Sequence, residues 1–132
     1  MACMCSEKDE IILSLFKQID DSILLLMQWN QEVNGADDYL LSPEGMKNLA
    51  ASCMLIEAIG ESVKKIDRKT DGLLLPLRPE IPWKLVMGMR DHIAHGYFDI
   101  DADVVFLTIK KHLPPLQEAV RFFIEYIPNP DR

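Results

Sequence analysis

The sequence predicts an all-α fold, an up-and-down four-helix bundle whose C-terminal helix is kinked by proline. Three observations predict it. Apolar residues recur at three- and four-residue steps over long stretches. No run alternates apolar and polar residues as a strand would. Leu, Ile, Met, Glu and Lys dominate the composition, which favours helix over sheet. With 132 residues, 48% of them hydrophobic and 27% charged, the chain suits a single domain spanning 1–132. A chain of this length buries roughly 65–70% of its unfolded surface, enough for a core without staples.

The first helix opens at Ser6, with Asp9 three residues on as a weak capping-box partner. Ile12, Leu15, Phe16, Ile19, Ile23, Leu26 and Val33 form its stripe, and Asn34-Gly35 ends it. Ile11, Leu24, Leu25 and Trp29 lie off that stripe and widen the apolar face. Such a face fits either a central helix in a monomeric bundle or one that also meets a second copy. A loop through Tyr39, Leu40 and Leu41 follows.

Ser42-Pro43 starts a second helix, with a hydroxyl at the N-cap and proline at the first helical position. Leu49, Cys53, Ile56, Gly60 and Val63 form its stripe, widened by Met46, Ala50 and Met54. Lys64, Lys65, Arg68 and Lys69 crowd its end, the densest basic cluster in the chain. They read as a solvated end matched to the helix dipole or as a phosphate contact.

Thr70-Asp71-Gly72 breaks this helix, and the segment from Leu73 to Pro82 carries three prolines and is irregular. Leu73, Leu74, Leu75 and Leu77 are expected to pin it to the core. Pro82 starts a third helix through Trp83, Leu85, Val86, Met89 and Ile93, closed by Gly96. Asp101 caps a fourth helix, whose stripe is Val105, Ile109, Leu113, Leu116, Val120, Phe123 and Ile127. Pro114-Pro115 must break or kink it, because both rings remove donors and clash with the preceding turn.

The net charge of −7 argues against a protein that grips nucleic acid through a global basic field. It leaves room for a local basic cleft or a basic partner. The three cysteines, Cys3, Cys5 and Cys53, are an odd number, so a disulfide framework is not expected and a reducing cytoplasm fits. The N-terminal stretch has polar and acidic residues from Ser6 on rather than a basic start and an apolar run, so a secretory leader is not expected. The longest apolar run, Ile23 to Met27, is far short of the ~20 residues that span a bilayer. A soluble, cytoplasmic protein with no membrane association is expected. Phosphate-binding glycine loops, a nucleophile elbow and zincin spacing are missing, so no cofactor is expected.

One segment concentrates chemistry: Met89-Arg90-Asp91-His92-Ile93-Ala94-His95-Gly96-Tyr97-Phe98-Asp99. Arg90 and His95 are five apart, about 140° round an ideal helix, so they do not share a narrow face. His92 and His95, three apart, do. The His95 side chain therefore belongs in the last turn or just past it, or the pair works across two chains. Arg plus a tunable His is the minimum kit for metal-free RNA cleavage. The imidazole moves protons, and the guanidinium stabilises charge building on phosphorus. A zinc site from His92, His95 and Asp99 is the weaker alternative, lacking a fourth ligand. On spacing alone, an Arg and a His on a helix are more often ordinary surface or interhelical hydrogen-bonding residues.

The order Ile81-Pro82-Trp83, Gly88-Met89-Arg90-Asp91, His95-Gly96-Tyr97-Phe98-Asp99-Ile100-Asp101 and Leu113-Pro114-Pro115-Leu116 resembles the HepT-like family of the HEPN superfamily. Glu57 to Val63 resembles that family's second helix. The resemblance implies a helical bundle forming a symmetric homodimer, with an R-x4-6-H ribonuclease motif met here by Arg90 and His95. It implies an endoribonuclease toxin acting on RNA without metal. It also implies neutralisation by a nucleotidyltransferase antitoxin that adenylates the tyrosine of R-x4-H-x-Y, the position held by Tyr97. Asp91 stands where the family often has Asn and, with His92, supports the pair. Two such helix ends facing each other across a two-fold axis would make one cleft with two Arg and two His. The resemblance equally admits a non-catalytic HEPN module that binds nucleotide or docks a nucleotidyltransferase.

Overall fold

A computed structural model describes residues 6–96 and 99–130, and the fold is all-α. Helix α1 spans Glu7–Trp29, α2 Asp37–Leu40, α3 Pro43–Lys69, α4 Trp83–Met87, α5 Met89–Ile93, α6 Ala102–Leu107 and α7 Leu113–Tyr126. A 3-10 turn covers Leu75–Leu77, and a π-helical turn, Thr108–His112, joins α6 to α7. The caps are those expected: Ser6 and Asp9 close a reciprocal capping box, Ser42 Oγ accepts from the Gly45 amide, and Asp101 accepts from the Val104 amide.

Side-chain register fixes the directions. Asn30 at the end of α1 meets Lys110, Asp20 meets Gln117 and Arg121, and Phe16 stacks on Phe123. Rising numbers on one helix match falling numbers on the other, so α1 and α7 run antiparallel. By the same logic Gly60 lies against Val86 and Glu57 against Arg90, so α4 and α5 run antiparallel to α3. One buried cluster joins these passes. It includes Phe16, Ile23 and Leu26 of α1, Ile56 and Val63 of α3, Val86 of α4, and Leu116 and Phe123 of α7.

Several expectations are corrected. The first helix stops at Trp29 rather than Asn34-Gly35, because buried Asn30 turns its amide onto the Leu26 carbonyl (2.8 Å). The segment around Tyr39 is a short helix, not a loop, and it buries the Tyr39 ring completely. Of Leu73, Leu74, Leu75 and Leu77 only Leu75 is buried; Leu73 and Leu77 are exposed. Met46, Met54 and Leu85 also face solvent, since the stripes that meet neighbouring helices are narrower than apolar content suggested.

The third helix breaks at Gly88 into α4 and α5, and α5 stops at Ile93, before Gly96. At Pro114-Pro115 the predicted interruption takes the form of the π-helical turn just before them. Neither proline nitrogen can donate to the carbonyls of Lys110 and Lys111, and the wider turn relieves the ring clash. Lys110 adds a tie of its own, donating to the Asn30 carbonyl at 2.7 Å.

Beneath α2 lies a polar network that periodicity did not reveal. The Tyr39 hydroxyl donates to Asn30 Oδ1 (2.6 Å), Asn30 Nδ2 donates to Ser52 Oγ (3.0 Å), and Ser52 Oγ donates to Asn48 Oδ1 (3.1 Å). Every buried side-chain polar atom among the described residues has a partner, as burial demands. Burial first, then the Cys53 thiol and the Asp38 carboxylate, push the Tyr39 hydroxyl up to about 12. The sign follows: stability is intact below the unfolded tyrosine value near 10 and falls as pH rises from there through about 12. Denaturant unfolding at pH 8 and pH 11 should show that fall in wild type and a flatter response in Tyr39→Phe. The variant should also lose about 1 kcal/mol at pH 8 with its hydrogen bond.

Gly60 positions the next element. A Cβ there would sit 2.9 Å from the Val86 carbonyl oxygen, a backbone atom that cannot swing aside. Gly60→Ala should therefore push α4 off α3 and cost about 1–3 kcal/mol, read as a lower urea midpoint with an unchanged slope.

Candidate active site

The α3–α4 approach delivers α5, and with it Arg90, to the flank of α3. Arg90 is 65% exposed, and its Nε lies 3.5 Å from Glu57 Oε1, whose side chain is 44% exposed. That separation makes an ion pair but is long for a hydrogen bond. Ile93 anchors α5 in the core, while Asp91 and His92 face solvent beside Arg90.

His95 stands just past α5, one of the two placements expected. Ala94 is extended, at φ −153° and ψ 134°, so the chain has left the helix before His95. The five-residue helical offset, about 140°, therefore does not apply to this pair. A tight return holds the segment: Ala94 bridges Ile100, the His95 amide donates to the Asp99 carbonyl (3.1 Å), and the Asp101 amide donates to the Ile93 carbonyl (2.7 Å). His95 and Gly96 are exposed on this return, and no atom would crowd a Cβ at Gly96 within 4 Å. Tyr97, the expected modification site, lies outside the described residues, as does Phe98.

An exposed guanidinium and an exposed imidazole thus leave one short stretch of backbone, both open to an anionic polymer. The guanidinium can take phosphate oxygens in its fork, and the imidazole can serve as a proton donor or acceptor. His92, His95 and Asp99 do not gather as a metal-ligand set, nor does any other group of three among the described residues.

Spacing along the chain missed Glu57. It sits in the stretch Glu57 to Val63, but nothing in one sequence says which helix flank Arg90 will face. Cys53, one turn before Glu57 on α3, is partly buried. Burial first and the Glu57 carboxylate second push its thiol up to about 11, which keeps it protonated and unreactive at neutral pH.

No helix among the described residues is long and apolar enough to cross a membrane. The family described as "Ribonuclease HepT-like" matches residues 19–123. A Thermococcus cleftensis protein named "Probable ribonuclease HepT" is 32% identical over 101 residues, 76% of this chain and 84% of that one. Two further relatives are both named "Putative RNase". The Caldanaerobacter subterraneus protein is 31% identical over 53% of this chain and 59% of its own length. The Methanocaldococcus jannaschii protein MJ1216 is 32% identical over 69% of this chain and 70% of its own length. No solved structure matches.

Proposed function

This chain belongs to the HepT-like ribonuclease family, and from that premise we propose that it is a metal-independent endoribonuclease. Arg90 and His95 are its catalytic pair, completed by a second copy. One observation carries the reading: within the matched span, Arg90 and His95 flank a single short turn and both stand open to solvent.

In the proposed reaction one His95 takes the proton from a ribose 2′-hydroxyl. The 2′-oxygen attacks phosphorus, and the partner copy's His95 protonates the departing 5′-oxygen. Arg90 stabilises the dianionic phosphorane. The products are a 2′,3′-cyclic phosphate and a 5′-hydroxyl. His92 and Asp91 sit beside Arg90 and help hold and tune it.

Neutralisation in this reading is covalent. A nucleotidyltransferase antitoxin transfers AMP from ATP to the Tyr97 hydroxyl, releasing pyrophosphate. The added bulk and negative charge then repel RNA from the cleft.

RNA cleavage in EDTA, with end-group analysis of the fragments, tests the chemistry. Cyclic phosphate ends at an undiminished rate are expected; EDTA inhibition or 3′-hydroxyl ends contradict it. Peptide mass analysis after co-expression with a cognate nucleotidyltransferase should show adenylate on the peptide carrying Tyr97. The net charge of −7 and the exposed Asp91 favour a second reading, a docking module without catalysis. That reading predicts partner binding with no cleavage at any protein concentration.

A further inference from the structure

We propose that Glu57 is a positioning residue for Arg90, holding the guanidinium by one edge so that the other is free to take a phosphate. The role rests on the ribonuclease reading above; the contact itself does not. Arginine presents two hydrogen-bonding edges, one along Nε and one across the two Nη atoms. The closest approach of Glu57 is to Nε, at 3.5 Å, and Arg90 remains 65% exposed. With the contact at Nε and 65% of the side chain exposed, much of the guanidinium is left open to solvent.

The contact is built by the fold rather than met by chance. Gly60 lets α4 lie directly on α3, Gly88 ends α4, and α5 begins at Met89, which places Arg90 level with Glu57 one turn back from Gly60. Cys53 lies one turn before Glu57 on α3, and the Glu57 carboxylate helps push its thiol up.

Stability does not account for the pair, because its members are 65% and 44% exposed and pairs this open to solvent contribute little. Order does. A free arginine side chain samples many rotamers, and fixing one on substrate binding costs affinity or rate. A carboxylate that holds Nε in advance lowers that cost where geometry matters most, at the moment charge builds on phosphorus. The opposite role, an anion that competes with RNA for Arg90, predicts the opposite kinetics.

A double-mutant cycle separates them. Single-turnover and steady-state cleavage of a short RNA is compared for wild type, Glu57→Gln, Arg90→Ala and the double variant. Glu57→Gln is expected to lower kcat about tenfold with KM changed less than about twofold. The double variant should cleave no more slowly than Arg90→Ala alone. A lowered KM in Glu57→Gln, or an equal loss in both backgrounds, overturns the proposal. A second readout needs no activity. The Arg90 Nε–Hε NMR resonance, assigned by its disappearance in Arg90→Lys, should move in Glu57→Gln and stay in place in Glu61→Gln. If it moves while no variant cleaves RNA, the contact stands and the ribonuclease reading fails. If it does not move, Glu57 does not hold Arg90.

Discussion

His95→Ala is expected to lower RNA cleavage by roughly 10²–10⁴-fold, the range over which a positioned acid or base contributes. The fold should not change with it. His95 is exposed on the return between α5 and α6, and what holds that return is backbone, the His95 amide to the Asp99 carbonyl among it. An alanine keeps those bonds. The thermal midpoint should therefore match wild type, within the roughly 0.5 kcal/mol usual for surface changes. Initial cleavage rates and a denaturation curve on one preparation check both halves. A normal rate removes His95 from the chemistry; a collapsed midpoint makes it structural.

The second large effect lies in the core. Phe123→Ala should cost about 3–5 kcal/mol, as expected when a buried ring is deleted and its cavity cannot collapse. Phe123 is fully buried. It stacks on Phe16 of α1 at 5.0 Å and 17°, meets Trp83 of α4 at 6.2 Å, and takes the edge of Phe122 at 5.2 Å. One ring thus joins the first helix, the last helix and the element leading to Arg90. Since single domains are stable by only about 5–15 kcal/mol, the variant should unfold at a much lower urea concentration. A loss below about 1 kcal/mol would mean that the neighbours close the cavity. Because α4 precedes α5 along the flank of α3, loosening Trp83 should also blur the position of Arg90.

These two residues differ in how legible they were. Phe123 followed from a stripe of apolar residues at helical spacing, which needs no partner to be recognised. The same holds for Phe16, Ile23, Ile56 and Leu116, all core positions, and for the caps at Ser6, Ser42 and Asp101, which depend on bonds three residues apart. What failed was non-local. Asn30, whose amide stops α1 on the Leu26 carbonyl, also donates to Ser52, 22 residues away, a partner no local pattern reveals. Tyr39 makes a helical turn of an expected loop because its hydroxyl has a buried acceptor waiting. Leu73 and Leu85 looked like core by type, but the neighbours that would cover them are not there.

The site shows the same division. Arg90, His95 and the residues around them stood out by type and by resemblance, and the fold leaves both exposed at one short turn. Spacing alone left His95 either in the last turn or just past it; the break at Ala94 and the return to Ile100 place it past the helix. Glu57, the ion-pair partner of Arg90, belongs to a helix more than thirty residues earlier. Only the packing of α5 on α3 brings them together.

The proposed cleft shared between two copies would make activity depend on concentration, and this is measured by following specific ribonuclease activity through a dilution series alongside sedimentation. Activity per chain should fall in step with dissociation of the dimer and return on reconcentration. Full activity in a preparation that sediments as a single chain would contradict the shared cleft and confine the chemistry to one copy of Arg90 and His95.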